Sequence, residues 1–210
     1  MGKRRGRPAA REGGWTSSRG RRGSTDRAPR QTVAERLEAG DISRDEAVEK
    51  AREVVLRILT AAQKSRRELE QSLARKGYPE DVVVQVLDRF DEVGLVDDAT
   101  YAETIVRTRH AERGLARRGI AAELRRRGID EDTAVEALDQ LDPDDERVAG
   151  AQLATTLITR TRSLDRQVRV RRAVGSLARK GYAPGLAFEL VRDALTAEGE
   201  ETGDLDYVED

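Results

Sequence analysis

The chain has 210 residues, no cysteine, one histidine and a formal net charge of −1. Charged residues make up 38% of it and hydrophobic residues 37%, and aromatics are one Trp, four Tyr and two Phe. This composition excludes disulfides, thiolate zinc sites and a Cys nucleophile, and a lone His110 argues against a Ser-His-Asp triad or a His metal cluster.

The charge is unevenly placed. Residues 1–30 hold ten Lys/Arg and two Asp/Glu, whereas residues 193–210 hold eight acidic residues and no basic one. A basic head and an acidic end suit charged partners, or contact of the chain with itself. No apolar run nears the ~18 residues of a membrane span, and the Arg-rich head lacks the apolar stretch of a secretory signal. The expectation is a soluble cytoplasmic protein, mostly helical and monomeric.

Residues 1–30 lack apolar periodicity and are expected to be a disordered basic tail. Within it, Arg5-Gly6-Arg7-Pro8 has the form of an AT-hook core, which makes Arg5 and Arg7 possible minor-groove contacts. Val33 and Leu37, stopped at Gly40, predict a short helix. Ser43 with Glu46 has capping-box spacing and opens a run with Ala47, Ala51, Val54, Val55, Ile58 and Leu59 at helical gaps. Ser65 with Glu68 opens the next helix, which buries Leu69 and Leu73 and stops at Gly77. Pro79, Glu80 and Asp81 suit the first turn of a third, carrying Val83, Val86, Leu87 and Phe90.

The pattern then recurs. Ser72-Leu-Ala-Arg-Lys-Gly-Tyr78 returns identically at Ser176–Tyr182, with a divergent copy at Glu123–Ile129. Gly77, Gly128 and Gly181 lie 51 and 53 residues apart, each four residues after a leucine. A long amphipathic helix precedes each: Tyr101, Ala102, Ile105 and Val106 mark the second, and Val148, Leu153, Leu157 and Ile158 the third. The reading is all-α: an elongated, curved array of three tandem three-helix repeats, since one such unit buries too little alone. The expected boundaries are tail 1–30, short helix and linker 31–42, repeats at 43–96, 97–142 and 143–198, and an acidic tail at 199–210. The acidic stretch Asp139–Glu146, with Pro143, is the expected joint between the second and third repeats.

Phosphate-loop, dinucleotide, nucleophile-elbow and HExxH motifs are absent from the sequence. Asp97-Asp98 suits a helix N-terminus better than a metal pair. The informative residues are basic. Arg66, Arg67, Arg75 and Lys76 lie in the first copy, and Arg107, Arg109, Arg117, Arg118, Arg125, Arg126 and Arg127 in the second. Arg169, Arg171, Arg172, Arg179 and Lys180 lie in the third. Part of this is helix-dipole logic. The same placement in stacked units would also make a basic stripe fit for a polyanion. Arg125, Arg126 and Arg127 span most of a helical turn, so one or two of them must be solvated. Aromatic interleaving is too sparse for base stacking.

Ser65-Arg-Arg-Glu-Leu69 leading into Leu73-Ala-Arg-Lys-Gly-Tyr78, and Gly94-Leu-Val-Asp-Asp98 followed by Tyr101-Ala102 and Val106-Arg-Thr-Arg109, resemble the RecX family of bacterial regulatory proteins. Gly119-Ile120, Leu124, Gly128-Ile129 and Leu177–Tyr182 complete the resemblance, which covers residues 43–197. The family often has Arg-x-Arg-Ser before its Glu-Leu, where this chain has Gln63-Lys64-Ser65.

The resemblance implies a helical-repeat protein that binds the filament of the RecA recombinase on DNA, in DNA repair, recombination and the SOS response. It implies inhibition of filament extension and of recombinase, coprotease and ATPase output, without catalysis or a cofactor. The alternative left open is a protein that binds single- or double-stranded DNA directly, through basic helix faces and the AT-hook-like tail.

Overall fold

The computed structural model describes residues 31–199. The expected disordered tail with Arg5 and Arg7, and the acidic residues 200–210, lie outside the described residues. Ten α-helices and no strand occur among the described residues: α1 Val33–Glu38, α2 Arg44–Ala61, α3 Arg66–Ala74, α4 Glu80–Glu92, α5 Asp98–Arg113, α6 Arg117–Arg127, α7 Glu131–Leu138, α8 Pro143–Arg160, α9 Arg166–Arg179 and α10 Pro184–Ala197.

Local chemistry explains where they start. Thr32, Ser43 and Ser65 each form a full capping box with Glu35, Glu46 and Glu68. Asp97, Asp130, Asp142 and Asp165 cap α5, α7, α8 and α9 by accepting backbone N–H bonds. Each such cap is worth about 1 kcal/mol.

The helices pack in threes, each trio around its own core. In α2–α4, Ala47, Ala51, Val55, Leu69, Leu73, Val82, Leu87 and Phe90 are buried together. In α5–α7 the core is Tyr101, Ala102, Ile105, Ile120, Leu124 and Leu138. In α8–α10 it is Ala154, Ile158, Leu177, Tyr182, Leu190 and Leu195. Each large aliphatic side chain buried in this way contributes about 1.5–3 kcal/mol. The sequence copies are therefore three three-helix units, with α3, α6 and α9 as the middle helices.

Each middle helix ends as its glycine requires. Gly77, Gly128 and Gly181 have φ of 77°, 78° and 96°. The next residue, Tyr78, Ile129 or Tyr182, donates its N–H back to the leucine carbonyl at 3.3, 3.2 and 3.2 Å. That is the Schellman closure, and the same residue's side chain folds down beside the core.

One expected core position differs. Val148 is 56% exposed. Helix α8 instead turns the row Gly150, Ala154 and Ile158 inward. A β-carbon on Gly150 would overlap Tyr182 and Leu190, so these two side chains pack directly on the α8 backbone. That close approach sets the rotation of α8 and carries Val148 out to solvent.

Candidate partner-binding surface

The units join through their middle helices. The last turn of α6 lies on the N-terminus of α3: Ser65 Oγ donates to the Arg127 carbonyl at 2.5 Å, and Gly128 faces the aliphatic stem of Arg67. The last turn of α9 lies on the N-terminus of α6 in the same way. The Ala116 N–H donates to the Lys180 carbonyl at 3.0 Å, and Gly181 meets Gly119. The last turn of α3 meets α1, where the Ala34 N–H donates to the Gly77 carbonyl at 2.8 Å. Short α1 thus supplies the helix N-terminus that a preceding unit would offer. At every joint the carbonyl end of one helix faces the N–H end of another, which satisfies groups that would otherwise be orphaned.

A second lock repeats as well. The Arg66 N–H, at the first position of α3, donates to Asp98 Oδ1 of the next unit at 2.9 Å. The Arg117 N–H, at the first position of α6, donates to Glu146 Oε2 at 2.8 Å. Asp97 caps its own helix as expected, but Asp98 caps a neighbour's. Burial first of all holds the Asp98 carboxyl above its ordinary range, against the lowering effect of the Arg66 N–H.

These joints divide the sequence-selected cations into two sets. The first is committed to the fold. The Arg66 guanidinium pairs with Asp88 at 2.7 Å and with Asp91, and Arg117 pairs with Asp139 at 2.5 Å and the Leu138 carbonyl at 2.9 Å. Arg127 binds Glu123 at 2.7 Å and the Tyr101 hydroxyl at 2.5 Å, and its guanidinium lies 5.7 Å from the Tyr101 ring centroid. Arg109 holds Glu123 from the other side at 2.9 Å. Burial alone would raise the Glu123 pKa, but the bonds from Arg127 and Arg109 outweigh it and hold the carboxyl low. Arg169 is 2% exposed and binds Glu198 at 2.5 Å, so it cannot reach a partner. Lys180 is tied to the Arg113 carbonyl.

The second set is exposed: Arg67, Arg75, Lys76, Arg107, Arg118, Arg125, Arg126, Arg171, Arg172 and Arg179. Six of these follow the repeat. Arg67, Arg118 and Arg171 stand ten residues before the terminal glycine, and Arg75, Arg126 and Arg179 two residues before it. The head-to-tail joints bring the two positions together across unit boundaries. Arg67 meets Gly128, two residues after Arg126, and the Arg118 backbone meets Gly181, two residues after Arg179.

Helix physics does not account for all of this. Cations at the ends of α6 and α9 suit the macrodipole, but Arg67 and Arg118 sit in first turns, where it disfavours them. Arg67 has an ion pair with Glu70 at 3.1 Å. Arg118, Arg125, Arg126 and Arg179 enter no ion pair among the described residues. Of these five, only Arg67 has a carboxylate partner among the described residues.

No group of three or more His, Cys, Asp or Glu that could hold a metal ion occurs among the described residues. The open groove between α2 and α4, lined by Val48, Leu56, Phe90, Val93 and Leu95, carries on its rim the Arg52–Glu49 and Arg89–Glu92 pairs and Asp88, the partner of Arg66. His110 Nδ1 lies 3.3 Å from the Leu115 carbonyl, to which it can only donate. No helix among the described residues is long and apolar enough to cross a membrane.

Comparison with known proteins bears on the whole arrangement. The family model of the first RecX three-helix domain matches residues 51–90, and that of the second matches residues 97–138. A regulatory protein RecX from Thermobifida fusca is 49% identical over 162 residues, covering 77% of this chain and 88% of that protein. The chain belongs to the RecX family.

Another regulatory protein RecX, from Streptomyces coelicolor, is 41% identical over 198 residues, covering 94% of this chain and 96% of its own. A crystal structure of RecX from Lactobacillus salivarius shares the fold, with a TM-score of 0.63 at 23% identity over 71% of this chain and 97% of that one. A crystal structure of regulatory protein RecX gives 0.66 at 25% identity over 75% and 78%. The two family-model spans fall on α2–α4 and α5–α7, so RecX domain order and the unit order of the fold coincide.

Of the acidic residues that organise the joints, Glu68 and Asp98 were read from the sequence only as groups of their own helix N-termini, and Glu123 and Glu146 were not given a role. Carboxylates are too frequent in this chain for a contact between units to stand out, since it depends on residues of other helices such as Arg127 for Glu68, Arg66 for Asp98, Arg109 for Glu123 and Arg117 for Glu146.

Proposed function

We propose that this protein binds the RecA–DNA filament in the cytoplasm, restrains its extension and so lowers recombinase, coprotease and ATPase output, acting by binding and not by catalysis. The observation that carries this reading is the repeat of exposed arginines at the two inter-unit joints, on a member of a family of regulatory proteins. A helical filament offers the same acidic or phosphate-bearing site at regular intervals. A repeat protein with equivalent arginines in successive units matches such a target several times. Each exposed contact is worth only about 1 kcal/mol or less, and effective concentration lets the contacts reinforce one another.

The test separates filament from bare DNA. Co-sedimentation at about 150 mM salt should retain the protein with RecA assembled on single-stranded DNA and leave it in the supernatant with DNA alone. Equal retention by bare DNA, falling steeply as salt rises, would instead support direct DNA binding.

A further inference from the structure

We propose that the cleft between α6 and α7, in the middle unit, takes a peptide segment of the filament's protein component, one that carries a carboxylate beside a leucine-like side chain. This names one contact of the proposed function and rests on that reading.

Three observations carry it. The first is the cleft itself, about 300 Å³ in volume. Ala121, Ile129, Ala134, Val135 and Leu138 line it, and Val135 is 48% exposed. That size is at the lower end for a ligand pocket and suits the side chains of a docked peptide. An exposed valine in an apolar cleft is stabilised when an aliphatic side chain displaces the water on it.

The second is Arg125, which lines the same cleft and enters no ion pair among the described residues. It departs from the repeat. Counted from the terminal glycine, its counterparts in the other units are Ala74 and Ala178. The dipole of α6 does not call for it, since Arg126 and Arg127 follow in the same last turn. Glu131 also lines the cleft, but it stands in the first turn of α7, where an acidic side chain suits the dipole, and the first unit has Glu80 at that place. The charge special to the middle unit is therefore positive, and its complement is a carboxylate.

The third is the lining. Ile129 stands where the other units have Tyr78 and Tyr182, and Ala121 where they have Glu70 and Val174. Both differences shorten the side chains around the cleft. A nucleic-acid backbone would satisfy Arg125 but has no aliphatic group for the apolar floor. A peptide supplies both.

The experiment uses the full chain and follows its methyl signals by NMR. The probe is an end-blocked hexapeptide with a pair of leucines between pairs of glutamates. At millimolar concentration it should shift the methyl signals of Ala121, Ala134 and Val135 saturably. The same peptide with serines in place of leucines, and heparin, should shift them far less. Val135→Asn changes an exposed side chain and should keep the fold. It should weaken binding of the leucine peptide about fivefold or more and leave heparin affinity unchanged. No shift at the cleft, an equal shift from the serine peptide, or unchanged peptide affinity in Val135→Asn would overturn the proposal.

Co-sedimentation with RecA on single-stranded DNA separates the cleft from the functional reading. Where wild type is retained, Val135→Asn should need about fivefold more protein for the same retention. Equal retention of the two would overturn the assignment of the cleft to the filament. A wild type that is not retained, yet whose cleft signals shift with the leucine peptide, would show that the functional reading had failed and not the site.

Discussion

Gly119, in the first turn of α6, and Gly181, at the end of α9, meet backbone to backbone. A β-carbon on Gly119 would overlap the Lys180 carbonyl oxygen, and one on Gly181 would overlap the Gly119 amide. The joint between the second and third units is therefore built on two missing side chains.

Gly181→Ala or Gly119→Ala should each destabilise the protein by about 3 kcal/mol or more, because backbone atoms have nowhere to move. Gly114→Ala is the control. Its φ is 56°, but a β-carbon there meets nothing within 4 Å. That change should cost about 1–2 kcal/mol from backbone conformation alone. Urea unfolding of the three variants measures the difference.

Arg127 should behave unlike its two neighbours. It binds Glu123 and Tyr101 and lies 3.7 Å from Glu68 across the joint. Arg127→Ala leaves half-buried partners unsatisfied and should cost about 2 kcal/mol. Arg125→Ala and Arg126→Ala should stay within about 0.5 kcal/mol of wild type. Equal losses for all three in thermal unfolding would contradict the division between structural and exposed arginines.

That division marks the limit of sequence reasoning here. The Leu-x-x-x-Gly endings, the capping boxes at Ser43 and Ser65 and the three-unit repeat were legible because each depends on residues close in the chain. Which of Arg125, Arg126 and Arg127 turns inward was not. It depends on Glu68 and Tyr101, residues of other helices. The rotation of α8 was misread for a similar reason, since Tyr182 and Leu190 select Gly150 over Val148 as its inward row. The exposed arginine positions were visible as a list, but their meeting across joints depends on head-to-tail contact between α3, α6 and α9.

Acid should loosen the first joint. The Glu123 pKa is held below its ordinary 4.5 by Arg127 and Arg109 against burial. The Glu68 pKa is lowered likewise by Lys64, the Ser65 N–H and Arg127. A depressed folded-state pKa contributes stability that is present above the unfolded value and lost as pH falls through the folded one. Stability should therefore decline below pH 4.5, and Glu123→Gln should flatten that decline.

Asp98 works in the opposite sense. Its folded-state pKa is raised above the ordinary 3.8, mainly by burial, so its charge is a penalty at neutral pH that protonation relieves. Asp98→Asn keeps an acceptor for the Arg66 N–H and removes that penalty, so at neutral pH it should leave the melting temperature unchanged or raise it. Asp98→Ala removes the acceptor and should lower stability by about 1 kcal/mol. Comparable losses for both variants would show that the charge, not the acceptor, matters there.

The central claim is that the exposed arginines at the joints act on a RecA filament. The most direct measurement is the ATPase rate of RecA on single-stranded DNA with substoichiometric amounts of this protein, comparing wild type with Arg125→Glu/Arg126→Glu. Both side chains are exposed and unpaired among the described residues, so circular dichroism should show an unchanged fold. Wild type should depress the ATPase, and the variant should need at least about tenfold more protein for the same effect, since repulsion replaces attraction at repeated contacts. A wild type without effect, or a folded variant that inhibits at the wild-type concentration, would contradict the account.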